Sequence, residues 1–346
     1  MVTMQQVADR ARVSISTVSF VVNGTKPVTP QTRARVLAAI DELGYRRNAM
    51  ARALATRRSR IIALLHPIID RNMNAFVEAA ANVAAAAGYS LVLWPLHTDN
   101  QAQEVTTLAT SGMAEGVLLL EVQFEDERVA QLESAGAPYV LIGRTRELAG
   151  RDYVDIDFEN TVATVVERLM ALGHRHLALI VEDLSGTELA DYAPPLRAAD
   201  AFEHEVSRRG IQGAVFPVPN TVDPGAGLVD RIAEVAPDTT ALVLMHNDAA
   251  FGIVRDLRDR GLRVPDDLSL VVIGGSAAYG ALVDPPLTTY ETPAKEMGTR
   301  AAGALIGRLE GNDGEATQML LPCIPVAGES LAEAPTERAP LRVLRV

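Results

Sequence analysis

The chain has 346 residues, which is too long for one ordinary hydrophobic core and suits two or three domains. No run of about 18 uncharged apolar residues is present, which excludes a membrane-spanning helix, and we expect no secretory signal and no contact with a membrane. The single cysteine, Cys323, cannot form an internal disulfide, so a reducing cytoplasm is the expected compartment.

The net charge of −12 argues against a nucleic-acid partner only until its distribution is considered. Residues 1–60 contain eleven basic and three acidic side chains, a net charge of +8, and the remainder carries −20. A basic segment joined to an acidic body is typical of a phosphate-binding module fused to a domain that avoids DNA.

Capping residues predict three short helices in this basic segment. Thr3 is placed to cap a helix over residues 4–10, and Ser14 can cap a second one after a tight turn at 11–13. Thr29, followed by proline, begins the third helix, and Gly44 ends it. The expected apolar faces are Val18, Val21 and Val22 on the second helix, and Leu37, Ile40 and Leu43 on the third.

Three short helices with a hydroxyl-rich second helix indicate a helix-turn-helix DNA-binding unit, with 13–23 supplying the recognition helix. A small helical bundle that binds protein is the alternative, which the basic charge disfavours. The motifs at 3–8, 13–24, 32–36 and 43–54 keep a characteristic spacing. They resemble the DNA-binding head of the LacI/GalR family of bacterial transcription regulators.

The resemblance implies a hinge helix at 48–55 that folds only when two subunits meet over the operator. The segment is a strong helix former but is shorter than the roughly 12–15 residues needed for stability alone. Leu54 matches the family's leucine that wedges into the minor groove; the alternative is an ordinary linker residue. The family's Arg-Pro-Asn before the hinge is Arg-Arg-Asn at 46–48 here, which removes a rigid stop and adds a phosphate contact.

Phe20 occupies a position where other family members often carry a polar or basic base reader. Its ring can contact a thymine methyl group, or it can turn sideways and pack against the hinge or the partner subunit. Serine, threonine and asparagine side chains of the recognition helix resemble the family's phosphate contacts. The expected DNA-binding residues are Thr3, Ser14, Ile15, Ser16, Thr17, Ser19, Phe20, Asn23, Arg33, Asn48, Ala51, Arg52 and Leu54.

From residue 61 onward, apolar runs alternate with alanine-rich amphipathic stretches in two successive series. This alternation predicts an α/β fold with two doubly wound parallel sheets and a ligand between their carboxyl edges. The predicted strands are 61–65, 90–94, 116–120, 139–142, 154–156, 177–181, 214–218, 241–245 and 270–273. The predicted helices are 75–87, 102–110, 129–135, 196–209, 228–235 and 249–260.

Motifs at 155–157, 172–180, 247–252, 264–267 and 284–289 resemble the family's effector domain, which is similar to periplasmic sugar-binding proteins of type I. The expected domains are therefore a helix-turn-helix at 1–47, a hinge at 48–60, an effector and dimerisation domain at 61–330, and a tail at 331–346. Within the effector domain we expect one subdomain of 61–160 plus 290–325 and another of 161–289.

Two departures from the family bear on the effector. The family's strand-end Asp-Asp is Ser276-Ala277 here, and the Asp often found before Arg144 is Gly143, so two sugar-gripping carboxylates are missing. Either the ligand differs from a simple hexose, or His66, Trp94 or Tyr279 takes over, although His66 and Trp94 are more often packing residues. The expected effector-binding residues are His66, Trp94, Arg144, Arg197, Asn247, Asp248 and Ser276.

The sequence thus predicts a homodimeric repressor that binds double-stranded operator DNA and responds to a small-molecule effector, with a sugar favoured. A solute-binding protein without DNA function is the runner-up, disfavoured by the basic segment. A hydrolase is a weaker alternative because no nucleophile, base and metal set is found. No metal or cofactor is expected, and the tail lacks the leucine heptads of a tetramerising coiled coil.

Overall fold

The computed structural model describes residues 2–24, 26–45, 58–66, 73–96, 101–187, 189–219, 223, 225, 227–245 and 247–336. They belong to two compact units, Met1–Ser59 and Arg60–Val346, which we call the head and the body. The predicted hinge helix at 48–55, with Asn48, Ala51, Arg52 and Leu54, lies outside the described residues.

Within its described residues, the head contains three capped helices, α1 (Met4–Ala11), α2 (Ile15–Asn23) and α3 (Pro30–Leu43). The Thr3 side chain accepts a hydrogen bond from the Gln6 backbone while Gln6 reaches back, which forms a capping box at α1. Ser14 and Thr29 cap α2 and α3 in the predicted way. The valine stripe of α2 is buried, with Val18 fully enclosed.

The predicted apolar face of α3 is confirmed for Ile40 and Leu43 and wrong for Leu37. Leu37 is 50% exposed, whereas Val36 and Ala39 are buried in the head core, with Ile40 and Leu43 packed partly against it. Two apolar stripes overlap on this helix, and the smaller side chains of Val36 and Ala39 fit the close approach to α1 and α2.

Each half of the body is built on a six-stranded sheet. The first sheet has the order β11-β5-β4-β3-β1-β2, and all of its described pairings are parallel. Its strands are β1 (Ile61–His66), β2 (Ser90–Pro95), β3 (Gly116–Leu119), β4 (Tyr139–Ile142), β5 (Tyr153–Ile156) and β11 (Gln318–Leu321). Its helices are α4 (Met73–Ala86), α5 (Gln101–Ser111), α6 (Glu127–Ala135) and α12 (Ala294–Leu309).

The second sheet has the order β12-β10-β9-β8-β6-β7, with β12 antiparallel to β10. Its strands are β6 (His176–Asp183), β7 (Gln212–Pro219), β8 (Ala241–Met245), β9 (Ser269–Gly275), β10 (Thr288–Glu291) and β12 (Ile324–Val326). Its helices are α7 (Phe158–Ala171), α8 (Ala193–Arg209), α9 (Leu228–Val235), α10 (Asp248–Asp259) and the short α11 (Ala277–Gly280).

The chain crosses between the two subdomains after β5, after β10 and after β11. The expected assignment of 290–325 to the first subdomain therefore needs refinement, because α12 and β11 lie there but β12 and the end of β10 belong to the second sheet. Strand β2 was expected to be buried. It is an edge strand instead, and Val92 and Leu93 on it are 37% and 47% exposed.

The end of the effector domain and the first residues of the tail pack against the second subdomain. Ser330 is fully buried; its hydroxyl donates to Leu270 O at 2.6 Å and accepts from Thr288 N at 2.8 Å. The ring of His174 lies 3.1 Å from Ala332 O through Nε2. Residues 328–334 thus complete this half of the body. No helix within the described part of the chain is long and apolar enough to cross a bilayer.

Candidate functional site

The candidate DNA-reading surface is the start of α2. The Ser14 hydroxyl accepts from Thr17 N at 3.2 Å and lies 2.7 Å from Ser16 Oγ and 2.8 Å from Thr17 Oγ1. Ile15 projects next to this hydroxyl cluster and is 45% exposed. An exposed isoleucine beside hydroxyl groups can contact a thymine methyl while the hydroxyls meet phosphate oxygens.

Phe20 is half-buried and does not stand alone on α2. The Lys26 ammonium lies 5.0 Å from the centroid of the Phe20 ring, in a cation–π arrangement. Sequence reasoning missed this pairing because Lys26 follows the helix after a turn at Gly24, outside any helical spacing. The contact brings a positive charge to a helix whose own side chains are uncharged.

The remaining described DNA candidates differ in their positions. Thr3 is exposed at the start of α1, and Arg33 is exposed in the first turn of α3. Ser19 is half-buried on α2, and Asn23 ends that helix. The arrangement of Arg33 and Thr3 at helix starts suits phosphate contacts, which set register and not sequence.

In the body, the carboxyl ends of both sheets face a cleft between the subdomains. A cavity of about 120 Å³ lies there, and most of its walls are apolar. Its lining consists of Met73, Phe76, Leu120, Glu121, Ile142, Gly143, Asp155, Ile156, Phe158, Tyr192, Pro194, Gly274, Thr292, Ala294 and Met297. Sequence reasoning named Gly143 in this set as a departure, and missed the aromatic walls because they come from helix starts and a loop.

A buried ionic cluster stands behind this cavity. Arg144 is only 8% exposed, and it donates from Nε to Asp155 Oδ2 at 3.0 Å and from Nη2 to Glu159 Oε1 at 2.5 Å. Burial raises the pKa of Asp155 to about 6, against the lowering effect of Arg144. Arg144 is therefore bound by two carboxylates of its own chain.

Arg197, one turn into α8, joins the same cluster. Its Nη2 donates to Arg144 O at 3.1 Å and approaches Thr145 O at 3.4 Å. Its Nη1 lies 3.6 Å from Glu159 Oε1, and its guanidinium carbon lies 4.6 Å from the Phe124 ring centroid. Burial, followed by the nearby Arg144, lowers the pKa of Arg197. The two predicted arginines are thus brought together, but through protein contacts.

The backbone conformation at Gly143 disfavours the carboxylate that other family members often carry before Arg144. Gly143 has φ +112°, a conformation that side chains rarely adopt, and a Cβ atom there would lie 3.1 Å from Val122 Cβ. An aspartate could not be placed here without strain. The loss of this carboxylate is therefore built into the local backbone.

Asn247 and Ser276 are also brought together. Asn247 Oδ1 accepts from Ser276 N at 2.8 Å, which fixes the amide, and the buried Nδ2 has no hydrogen-bond partner among the described residues. Asp248 is exposed at the start of α10. His66 is buried at the end of β1, and Trp94 packs against the core of the first subdomain. None of the seven predicted effector residues is among those that line the 120 Å³ cavity; Ser276 lines a separate cavity of about 720 Å³, and Arg197 one of about 540 Å³.

The fold and these two sites define a class: a helix-turn-helix DNA-binding regulator with a two-subdomain effector domain. Residues 3–48 match the model for bacterial regulatory proteins of the lacI family, and residues 166–331 match the periplasmic binding protein-like domain. The chain belongs to the lacI family of bacterial regulatory proteins. Its relatives are transcriptional regulators and not enzymes.

Individual relatives span nearly the whole chain. The HTH-type transcriptional regulator CelR of Thermobifida fusca is 31% identical over 333 residues, covering 92% of this chain and 95% of its own. Catabolite control protein A of Priestia megaterium is 28% identical over 306 residues, with 87% and 90% covered.

Solved structures show the same architecture. A lac repressor dimer bound to operator and an anti-inducer has a TM-score of 0.84 at 24% identity, with 96% of this chain and 99% of that chain covered. A complex of the transcriptional regulator CelR with cellobiose has a TM-score of 0.69 at 26% identity, with 95% and 100% covered.

Proposed function

We propose that the protein is a homodimeric transcriptional repressor that binds a palindromic operator and releases it when a small molecule enters the cleft of the body. The observation that carries the proposal is the union, in one chain, of a capped helix-turn-helix with two facing sheets around a cavity. Its relatives act on DNA, so we place its action in the cytoplasm.

The exposed apolar side chains of the body support self-association. Val92 and Leu93 lie on the edge strand β2, while Phe251 on α10 is 42% exposed and Leu282 is 72% exposed. Large apolar groups left in water on a body of this kind suit burial against a second copy. Two copies present two recognition helices, which is the geometry that a palindromic site requires.

For the head, we propose that Ser14, Thr17, Ser19 and Asn23 contact phosphates and that Ile15, Ser16 and Phe20 face base edges. Thr3 and Arg33 add phosphate contacts from the starts of α1 and α3. In the hinge we keep the assignment implied by the family resemblance, with Asn48, Ala51 and Arg52 at the backbone and Leu54 as the minor-groove wedge.

For the effector, we propose a sugar or glycoside. The support is the apolar and aromatic wall of the cavity, which suits the carbon face of a sugar ring, together with the oriented Asn247 amide and the cellobiose complex of the relative CelR. Ser276 and Asp248 adjoin this amide, whereas Arg144 acts from behind the cavity wall.

Effector binding and DNA binding must then be coupled reciprocally, because each ligand shifts the same equilibrium between body arrangements. The effector lowers the affinity for operator by the factor by which operator lowers the affinity for effector. The predicted hinge is the segment through which the head would sense the change.

The first test is binding of the full-length protein to random duplex DNA as a function of salt. We expect log affinity to fall steeply with log salt concentration, because phosphate contacts release counterions. Palindromes selected from a randomised library are then titrated in the presence of mono- and disaccharides and nucleosides, chosen by thermal shift. A flat salt dependence contradicts the DNA function, and DNA affinity unchanged by every stabilising compound contradicts the effector response.

A further inference from the structure

The two subdomains of the body meet at a cluster that we call the junction: Phe124, Arg144, Thr145, Glu159 and Arg197. Phe124, Arg144 and Thr145 follow β3 and β4 of the first subdomain. Glu159 is in the first turn of α7 and Arg197 in the second turn of α8, both in the second subdomain. Every polar contact between these two groups therefore links one half of the body to the other.

A short backbone pairing frames the junction. Phe124 N donates to Asp191 O at 2.9 Å, Glu125 N donates to Asp191 Oδ2 at 2.8 Å, and Ala193 N approaches Val122 O at 3.3 Å. The start of α8 is thereby set against the loop after β3. Arg197, four residues further along α8, is held within reach of the first subdomain.

The guanidinium of Arg197 contacts the first subdomain. It donates from Nη2 to the carbonyl oxygens of Arg144 and Thr145, and it stacks on Phe124. In the opposite direction, Arg144 Nη2 donates to Glu159 Oε1 at 2.5 Å. Arg197 does not line the 120 Å³ cavity of the cleft; together with Phe124, Thr145 and Glu159 it lines a separate cavity of about 540 Å³.

This arrangement leaves two facing groups unmatched. Arg197 Nε and Glu159 Oε2 are both buried and have no hydrogen-bond partner among the described residues. One is a donor and the other an acceptor, and the two side chains already approach within 3.6 Å through Nη1 and Oε1. A guanidinium and a carboxylate can pair through two parallel hydrogen bonds, which satisfies both groups.

We propose that Arg197 is a positioning residue that clamps the two subdomains in the arrangement seen here and releases them by turning its guanidinium onto Glu159. In the clamped arrangement Arg197 holds the carbonyls of the first subdomain. In the released arrangement Nε and one terminal nitrogen pair with both oxygens of Glu159, inside the second subdomain. Each arrangement satisfies groups that the other leaves unmatched, so a ligand that favours either one can shift the population between them.

The regulatory meaning of the clamp rests on the proposed function, because the subdomain arrangement is what couples effector to operator there. The clamp itself concerns only the body and is measurable without DNA or effector. An experiment that disproves the clamp therefore does not disprove the proposed function, and the reverse also holds.

The test uses distances between nitroxide labels on Thr110→Cys in α5 and Ser207→Cys in α8, measured by pulsed electron paramagnetic resonance in the full-length protein. Both sites are exposed and lie on different subdomains. The native Cys323 is buried and burial raises its pKa to about 11, so it resists labelling at neutral pH.

Arg197→Met removes the clamp, and we expect the population ratio of the two arrangements to change by roughly tenfold. Glu159→Gln puts a donor amide where the released pair needs an acceptor, so it should favour the clamped distance. Arg209→Met and Glu167→Gln are matched controls on the same two helices, since that pair, 3.4 Å apart, lies within the second subdomain. Their distance distributions should superimpose on that of the parent protein.

A parent-like distribution for Arg197→Met overturns the clamp. If that variant does not fold, Glu159→Gln decides, and an unshifted distribution there overturns it equally. Were Arg197 an effector contact instead, Arg197→Met would keep the ligand-free distances and lose only the thermal shift caused by a stabilising sugar. That pattern also overturns the clamp, while leaving DNA binding and effector response in place.

Discussion

The ammonium group of Lys26 lies 5.0 Å from the centre of the Phe20 ring, so a residue outside the recognition helix supplies the positive charge that the helix lacks. The ring in turn restricts where the ammonium can go. We propose that the two side chains divide the task of DNA binding, with the ring making an apolar contact and the ammonium supplying a charge.

For Phe20→Ala we expect relaxed sequence preference and a nearly unchanged salt slope, because an alanine loses the contact with a thymine methyl but removes no charge. The measurement is competition between selected and scrambled duplexes at several salt concentrations. A changed slope with unchanged preference would show that Phe20 is structural.

For Lys26→Met we expect weaker binding to all sequences, with the salt slope lowered by roughly one per subunit, because one phosphate contact is lost. Methionine keeps the apolar contact with the Phe20 ring, which makes it a matched variant. A selective loss for one base pair of the half-site, at constant slope, would instead assign Lys26 to base reading.

Ser14→Ala tests whether the hydroxyl at the start of α2 acts as a cap alone. The cap contributes about 1 kcal/mol of helix stability, and Thr29→Ala removes the equivalent cap of α3. Hydrogen exchange should show similar loosening of the head in both variants. We expect Ser14→Ala to lose additional DNA affinity, since we propose a phosphate contact there; equal affinities would assign Ser14 to capping only.

Gly143→Ala should destabilise the body by about 1–3 kcal/mol, because the backbone φ of +112° is strained for any side chain and Val122 occupies the space. Gly303→Ala is the contrasting control. It lies on the exposed side of α12 with no atom within 4 Å of the new methyl group, and should stabilise the helix by roughly 0.5–1 kcal/mol. Denaturant midpoints show whether each variant is more or less stable than the parent protein. A Gly143→Ala variant with unchanged stability would contradict the strain argument.

The stabilising contribution of Glu205 on α8 should depend on pH. Hydrogen bonds from Arg208, and then from Arg209, lower its pKa to about 2. A carboxylate with a lowered folded-state pKa stabilises the protein above its unfolded value near 4.5, and this contribution is lost as the pH falls toward 2. Glu205→Gln should therefore cost about 1 kcal/mol at pH 7, allowing for solvent screening.

The cost of Glu205→Gln should shrink steadily below pH 4.5 and vanish near pH 2, as measured by urea unfolding. Glu167, whose side chain is 73% exposed, provides the control: Glu167→Gln should have little effect at any pH. A cost for Glu205→Gln that is independent of pH would contradict a charged role.

The caps and the valine stripe of α2 could be predicted because each depends on residues within one helix. The face of α3 could not, since Val36 and Leu37 begin overlapping stripes and only the packing partner selects between them. Strand positions followed from apolar runs. The exposed edge at β2 did not, because strand order is a property of the whole sheet.

The candidate effector site shows the same limit. Arg144 and Arg197 were each expected to bind the effector, and they lie together, but the sequence could not show which atoms they would face. One residue along a helix turns a side chain by about 100°, so the sequence alone did not show that the Arg197 guanidinium would reach the Arg144 carbonyl. The strained backbone of Gly143 was likewise invisible before its φ was known.

The three crossings between subdomains determine the order in which the parts of the chain can fold during synthesis on the ribosome. The first subdomain lacks α12 and β11 until residue 321 has been made, although α12 packs so closely on α4 that a Cβ on Gly298 would meet Phe76 O. The head can fold as soon as it emerges, whereas both halves of the body wait for the last segments. A chain cut short after β10 would thus carry a finished DNA-binding head on an unfinished body.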